Sequence, residues 1–299
     1  MEMNESPMDL PELRQGLRRQ GYIADEQTLR VLQYSQLLNK PILIEGPAGA
    51  GKTELAKAWS RFLGRALIRL QCYEGIDEAK ALYEWNYQKQ LLYIQAQGGD
   101  QKLWSVTGRN IYTEEFLLAR PLLDAIRRPS PAVLLIDEID KSDEEFESFL
   151  MEILSDWQVS IPEIGTIGAV TIPSVLLTSN SARNLSHALL RRCLYLYLDY
   201  PNAERELEIL RLYFPALNET LGRQIVSFVR KLRVEKLKKH PSISEVIDWT
   251  ATLTGLQAET LTADLALQTL SMLIKHNEDM QKITAKIQDG NWFGGISNS

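Results

Sequence analysis

A glycine-rich stretch at residues 46–53 constrains the fold more than any other feature of this chain. It reads GPAGAGKT and matches the phosphate-binding loop pattern Gly-x-x-x-x-Gly-Lys-Thr at every position. An apolar run at residues 42–44 precedes it, and apolar residues at helical spacing follow it up to Leu63. This strand–loop–helix context predicts a nucleotide-binding α/β fold. The alternative is a glycine-rich strand-to-helix turn that binds no ligand.

The loop also predicts how a triphosphate would be held. Glycines let the backbone turn its N–H groups toward the phosphates, and the following helix adds the positive end of its dipole. We expect Lys52 to reach the β- and γ-phosphates and the Thr53 hydroxyl to ligate Mg²⁺. The predicted nucleotide-binding residues are Gly46, Pro47, Ala48, Gly49, Ala50, Gly51, Lys52, Thr53 and Glu54.

Length and composition limit the remaining classes. The 299 residues are enough for two domains, which we predict at 1–201 (an α/β nucleotide-binding domain with a short N-terminal helical segment) and 202–299 (a helical lid). The net charge of −6 argues against a nucleic-acid-wrapping surface. With two cysteines, no secretory signal and no apolar run of membrane-spanning length, we expect a cytoplasmic protein.

Apolar runs predict five strands, at residues 42–44, 67–70, 131–136, 175–177 and 194–198. Because they alternate with helical patterns, we predict a five-stranded parallel sheet sandwiched by helices. Residues 114–127 are predicted as one helix, and Ser142 with Glu145 as the capping box of the next. Residues 157–173 predict a hairpin. After residue 201 only helical patterns occur, including one over 261–287.

The third predicted strand ends in an acidic pair, Asp137 and Glu138. An aspartate at this position holds Mg²⁺ in P-loop enzymes, and we assign that role to Asp137. Glu138 is the candidate general base that activates the attacking water. By itself an apolar strand ending in Asp-Glu is also consistent with a solvated strand end. Its position after a complete phosphate loop favours the nucleotide site.

Two further groups are candidates for catalysis. Asn180 follows the fourth strand, where its amide could position the water against the γ-phosphate; the alternative is a turn asparagine. Arg191 and Arg192 follow a short helix and precede the fifth strand. One of them could be an arginine finger supplied from a neighbouring subunit, with Arg192 preferred, or both could be a solvated helix end.

Taken in order, these four elements resemble the AAA+ ATPase superfamily over about residues 20–290. Residues 137–142 (DEIDKS) and the hairpin before the fourth strand are similar to its MoxR branch. Residues 71–77, 83–87 and 143–147 are similar to the ATPases that accompany carbon monoxide dehydrogenase maturation.

The resemblance implies a hexameric ring with ATP and Mg²⁺ at the subunit boundaries. It also implies a chaperone-like remodeller of a protein client, often a metalloenzyme, with a von Willebrand A-domain protein as partner. One departure from the resemblance stands out: many relatives carry an arginine at the start of a late lid helix, and the similar stretch here, residues 241–246, has Glu245 instead. Either the alignment is shifted, or the contact of this arginine with the γ-phosphate, and with it the coupling of lid movement to hydrolysis, is absent.

Two other functions remain compatible with the sequence. A DNA-associated AAA+ motor or loader uses the same fold, although the net charge of −6 counts against it. A P-loop kinase for a small molecule would also use the phosphate loop. Asn180, the paired arginines and the helical lid count against the kinase.

Overall fold

The computed structural model describes residues 8–96, 111–289 and Trp292. The chain divides into two compact units. The first contains the described residues up to Gln20, Ala24–Gly46, and the described residues of Lys52–Tyr197. The second contains Gly21–Ile23, Pro47–Gly51 and the described residues from Leu198 onward. The division into domains at residue 201 stays a prediction.

The first unit is built on a parallel sheet of five strands, which follow one another across the sheet in the order Leu67–Gln71, Val133–Asp137, Ser174–Ser179, Ile42–Glu45 and Leu194–Tyr197. In chain order, the strands of this unit are β1 (Ile42–Glu45), β2 (Leu67–Gln71), β3 (Tyr83–Trp85), β4 (Leu117–Ala119), β5 (Val133–Asp137), β6 (Gln158–Ile161), β7 (Gly165–Gly168), β8 (Ser174–Ser179) and β9 (Leu194–Tyr197). Every residue of β5 and β8 is buried, as expected for inner strands covered on both faces. The predicted α/β fold with a five-stranded parallel sheet is confirmed.

Helices flank this sheet. They are α1 (Leu10–Arg19), α2 (Glu26–Leu38), α3 (Lys52–Leu63), α4 (Glu78–Ala81), α5 (Tyr87–Ala96), α6 (Pro121–Arg127), α7 (Glu144–Asp156) and α8 (His187–Arg192). Helix α3 begins at Lys52 and buries Leu55 and Trp59. The Trp59 indole donates to Ser174 Oγ of β8 at 3.0 Å, which fixes α3 against the sheet. The start of α3 thereby has a fixed position at the carboxyl edge of the sheet.

The helix predicted over residues 114–127 is wrong. Glu114–Phe116 form a 3₁₀ turn, β4 pairs antiparallel with β3, and only Pro121–Arg127 are α-helical. Pro121 explains the break, since proline lacks an N–H donor and fits the first turn of a helix better than its interior. Residues 117–119 are consequently available for pairing with β3.

The predicted capping box of Ser142 and Glu145 is also wrong. Asp143 caps α7, and its carboxylate accepts a hydrogen bond from Phe146 N at 2.8 Å. The Ser142 hydroxyl instead donates to Ile139 O at 2.8 Å and closes the 3₁₀ turn Ile139–Lys141. That turn follows the acidic strand end directly. The predicted hairpin is confirmed as the antiparallel pair β6 and β7.

The second unit is helical from Leu198 onward within its described residues. Its helices are α9 (Ala203–Tyr213), α10 (Glu219–Val234), α11 (Ile243–Gly255), α12 (Ala263–Thr269) and α13 (Asn277–Gln288). In its core the Phe228 ring packs in a tilted contact with Trp249 and edge-to-face with Trp292, at centroid distances of 5.3 Å and 5.9 Å. The helix predicted over 261–287 is interrupted by the 3₁₀ turn Leu270–Met272 and by residues 273–276, which are not helical. Among the helices of the described residues, none has both the length and the apolar character needed to cross a membrane.

Candidate nucleotide site

The phosphate loop has the positive-φ backbone that its glycines permit. Gly49 has φ +80° and Gly51 has φ +99°, in the region that side-chain-bearing residues rarely adopt. At Gly49 space is limiting as well, because an added Cβ would lie 2.2 Å from Ser242 Cβ. The loop is closed by a hydrogen bond from Ala50 N to Pro47 O at 3.3 Å. Its shape therefore depends on glycine at position 49.

Residues 47–51 of this loop belong to the second unit and are hydrogen-bonded to other residues of that unit. Ile243 N donates to Gly49 O at 3.1 Å, and the Tyr200 hydroxyl donates to Ala48 O at 2.9 Å. Ser242 caps α11 in a true capping box, in which Glu245 accepts from Ser242 N at 2.8 Å. Glu245 thus has a structural role at the start of this helix.

Lys52 is the first residue of α3, and it is buried at 7% exposure. Its Nζ donates to Gly46 O at 2.7 Å and to Asn180 Oδ1 at 2.9 Å. Burial lowers the pKa of the ammonium, while the nearby carboxylates of Asp140, Asp137 and Glu138 oppose that shift. The structure therefore places the predicted phosphate-binding lysine and the predicted strand-end asparagine in direct contact.

Asp137 lies at the end of β5 beside the start of α3. The Thr53 hydroxyl lies 3.2 Å and 3.3 Å from its two carboxylate oxygens. Thr178 Oγ1 of β8 donates to Asp137 Oδ1, and the carboxylate is buried. A hydroxyl and a carboxylate at this separation are hard oxygen donors, which suit Mg²⁺ held jointly by protein and phosphate oxygens. The two residues thus fit the metal role predicted for them.

Glu138 has a left-handed backbone, with φ +58° and ψ +48°, which is uncommon outside glycine and asparagine. Such strain costs about 1–3 kcal/mol and concentrates at functional sites. Its N–H donates to Thr178 Oγ1 at 2.9 Å. Its carboxylate accepts from Gln71 Nε2 at 2.8 Å and from Lys141 Nζ at 2.6 Å, and Asn180 Nδ2 lies 3.5 Å away. The turn thereby aims Glu138 toward Asn180.

The loop that carries Asn180 is fixed by Asp140. This buried carboxylate accepts hydrogen bonds from Asn180 N at 3.1 Å and from Ala182 N at 3.0 Å. Arg183 adds a second link, since its Nε donates to Ser142 O at 2.8 Å and its guanidinium pairs with buried Glu147. Hydrogen bonds and an ion pair therefore connect the segment that follows β5 to the segment that follows β8.

The remaining predicted residues lie elsewhere. Arg191 and Arg192 belong to the last turn of α8 instead of following it, and both are exposed. Arg192 Nε donates to Ser155 Oγ on α7 at 2.6 Å. In the described part of the chain, neither arginine is hydrogen-bonded to the Lys52–Asn180 cluster. The Glu54 carboxylate pairs with Lys57 and Arg61 along α3.

Sequence reasoning missed several side chains that contact the acidic pair: Arg69, Gln71, Lys141 and Thr178. Gln71 lies directly opposite Asp137 in the β2–β5 register. This neighbour relation follows from strand order, which a single sequence does not reveal. The available signal was weaker: polar residues at the ends of β2 and β8, where parallel strands bring their carboxyl ends together.

The sheet order and the cluster of Lys52, Thr53, Asp137, Glu138 and Asn180 define a P-loop nucleotide-binding protein. Residues 41–193, just over half of the chain, match the family described as the AAA domain, dynein-related subfamily. The chain belongs to this family and is an AAA+ ATPase.

Individual relatives agree with this assignment. The gas vesicle ATPase GvpN of Haloferax mediterranei is 23% identical over 84% of this chain and 73% of its own length. The chaperone protein ClpB of Gloeobacter violaceus is 29% identical over 51% of this chain, which matches only 15% of ClpB. An uncharacterized protein of Staphylococcus saprophyticus is 23% identical over 74% of this chain and 78% of its own length.

Proposed function

We propose that this chain is an ATP-hydrolysing, Mg²⁺-dependent chaperone of the MoxR type that remodels a protein client. One observation carries the proposal. Lys52 of the phosphate loop contacts Asn180 at 2.9 Å, and the Asn180 amide in turn lies 3.5 Å from Glu138. A phosphate-binding cation, a polar amide and a candidate base therefore converge on one point, which is the arrangement that hydrolysis of a terminal phosphate requires.

The residues take the following roles in this proposal. Lys52 binds the β- and γ-phosphates, and the backbone N–H groups of residues 46–54, Pro47 excepted, hold the phosphate chain. Thr53 and Asp137 would hold Mg²⁺, which when bound would supply positive charge beside the phosphates. Glu138 takes the proton of the attacking water, and Asn180 orients that water.

Arg192 is the proposed arginine finger, acting in a neighbouring copy of the chain within a hexameric ring. Its exposure on α8 supports a role toward a second molecule. Its bond to Ser155 holds the guanidinium at the surface of the first unit. Arg191, exposed in the same turn, is the alternative finger. A finger stabilises charge on the transferring phosphoryl group and can be supplied in trans.

The proposed client is a protein, in the cytoplasm, and by sequence resemblance a metalloenzyme under maturation with a von Willebrand A-domain partner. Relatives named as chaperone proteins support the remodelling activity. Helix α5 exposes Tyr87, Leu91 and Leu92 at 60% or more, and such side chains suit contact with another protein.

The experiment is a substrate trap. Tagged Glu138→Gln protein, loaded with ATP and Mg²⁺, is expected to retain a client from a lysate of its own source. Lys52→Ala protein is the matched control, because it lacks the phosphate-binding ammonium. Enrichment of the same protein by the trap and not by the control supports the proposal. Equal recovery with both variants, or retention of DNA alone, would count against remodelling of a protein client.

A further inference from the structure

Arg69 lies on β2, the edge strand next to β5, and its guanidinium contacts the proposed metal ligand. Nε donates to Asp137 Oδ2 at 3.0 Å, and Nη2 donates to the same oxygen. Nη2 also donates to Gln71 Oε1, while Gln71 Nε2 donates to Glu138 at 2.8 Å. The Arg69 side chain is half exposed, whereas the Asp137 side chain is 3% exposed.

Hydrogen bonds within the chain already occupy both carboxylate oxygens of Asp137. Oδ1 accepts from Thr178 Oγ1, Oδ2 accepts from Arg69, and Thr53 Oγ1 lies 3.2–3.3 Å from both oxygens. A water of a Mg²⁺ shell needs one of these lone pairs as its acceptor. Oδ2 is the oxygen whose partner, Arg69, is half exposed, whereas Thr178, the partner of Oδ1, is buried in β8.

Charge adds to this competition. The guanidinium carries a full positive charge at every accessible pH and lies at hydrogen-bonding distance from the oxygen. A dication approaching the same carboxylate is repelled until that charge moves away. Because half of the Arg69 side chain is in solvent, it can leave Asp137 without opening the core.

We propose that Arg69 is an internal competitor of Mg²⁺: it neutralises Asp137 in the metal-free chain and must release Oδ2 before the metal shell can use it. The proposal rests on the function proposed above, and it adds a residue that sets how much Mg²⁺ the site requires. Arg69 here is a positioning residue, since it acts through Asp137.

The test compares wild type with Arg69→Gln, and Arg30→Gln serves as the matched control. Arg30 is 48% exposed in an ion pair with Glu26 on α2, so its replacement also removes one exposed charge and one ion pair. Binding of a fluorescent ATP analogue is measured in EDTA and then titrated with Mg²⁺. Direct Mn²⁺ binding to the nucleotide-loaded protein is followed by electron paramagnetic resonance.

We expect Arg69→Gln to lower the half-saturating metal concentration about three- to tenfold, because a repelling charge near the metal is removed. Nucleotide affinity in EDTA and the Arg30→Gln titration should match wild type. Arg69→Lys keeps the charge but loses the forked contact, so its midpoint should lie between the two. It also provides the measurement if Arg69→Gln does not fold.

An unchanged or raised metal midpoint in Arg69→Gln, or in Arg69→Lys where only that variant folds, overturns the competitor role. A loss of nucleotide affinity in EDTA on replacement of Arg69 would also overturn it, because that result would show that Arg69 binds the nucleotide phosphates. These results leave the proposed function standing as long as wild type binds the nucleotide. Failure of wild type to bind nucleotide with or without Mg²⁺ would instead refute the proposed function itself.

Discussion

Nζ of Lys52 lies 2.9 Å from Oδ1 of Asn180, although 128 residues separate them in the chain. The contact joins the helix after the phosphate loop to the segment after β8. A γ-phosphate bound to Lys52 would therefore lie within reach of the Asn180 amide. This geometry makes the asparagine a sensor of the terminal phosphate in our account.

We predict that Asn180→Ala lowers kcat for ATP about 100-fold, as expected when a polar group that stabilises the transition state is removed. Affinity for ATP should change much less, because Lys52 and the loop still bind the phosphates. Steady-state turnover combined with equilibrium binding separates the two effects. A large loss of affinity at unchanged kcat would show that Asn180 acts in binding alone.

Asp140 should matter for turnover although it is not assigned to touch ATP. Its carboxylate holds the Asn180 and Ala182 N–H groups, so Asp140→Ala leaves two donors without their acceptor. We expect a loss of about 1–3 kcal/mol in the free energy of unfolding. We also expect kcat to fall, as in Asn180→Ala. Asp140→Asn retains an acceptor oxygen and should recover most of the turnover. If Asp140→Ala unfolds more easily yet hydrolyses ATP normally, the clamp does not position Asn180.

Gly49 allows a comparison between two glycines with the same backbone angle. Gly49 and Gly75 both have φ +80°, but only at Gly49 would a Cβ meet a neighbour, Ser242, at 2.2 Å. Both alanine variants carry the cost of a left-handed residue, about 1–2 kcal/mol. Gly49→Ala should in addition reduce ATP affinity at least tenfold, whereas Gly75→Ala should not. Calorimetric titration with ATP measures this, and equal affinities would show that the contact with Ser242 is dispensable.

Arg192 is tested by mixing two inactive variants. Arg192→Ala should bind ATP and lose most turnover, since a trans arginine contributes about 10³-fold or more. Glu138→Gln lacks the base but keeps the arginine. Mixed assemblies contain boundaries with both groups intact, so partial activity should return. Arg191→Ala, measured alone and mixed with the same partner, tests the alternative finger and should retain its turnover if Arg192 is the finger. No recovery in mixtures that demonstrably co-assemble would remove Arg192 from the proposed site.

The phosphate loop, the acidic strand end and the five parallel strands were predictable because each is encoded locally. Asp137 and Glu138 end a continuously apolar run, and the loop matches its pattern in full. The first and last residues of helices and strands were harder to predict where pairing with a distant segment determines them. Residues 117–119 became β4 only because β3 offers a partner, which no local periodicity records.

The environment of the acidic pair was not predictable for the same reason. Arg69 and Gln71 reach Asp137 and Glu138 because β2 lies beside β5, so the contacts depend on sheet order. The left-handed backbone at Glu138 was likewise not predictable, because this position has neither glycine nor asparagine. Placement of Arg192 depends on a further molecule, and a single chain carries no signal for it.

The most direct test of the account is single-turnover hydrolysis of ATP by Glu138→Gln beside wild type, with ATP affinity measured on the same samples. We predict unchanged affinity and hydrolysis slowed at least about 100-fold, because the proton of the attacking water loses its acceptor. Hydrolysis by Glu138→Gln at the wild-type rate would contradict the assignment of Glu138 as the base and, with it, the catalytic centre proposed for this chain.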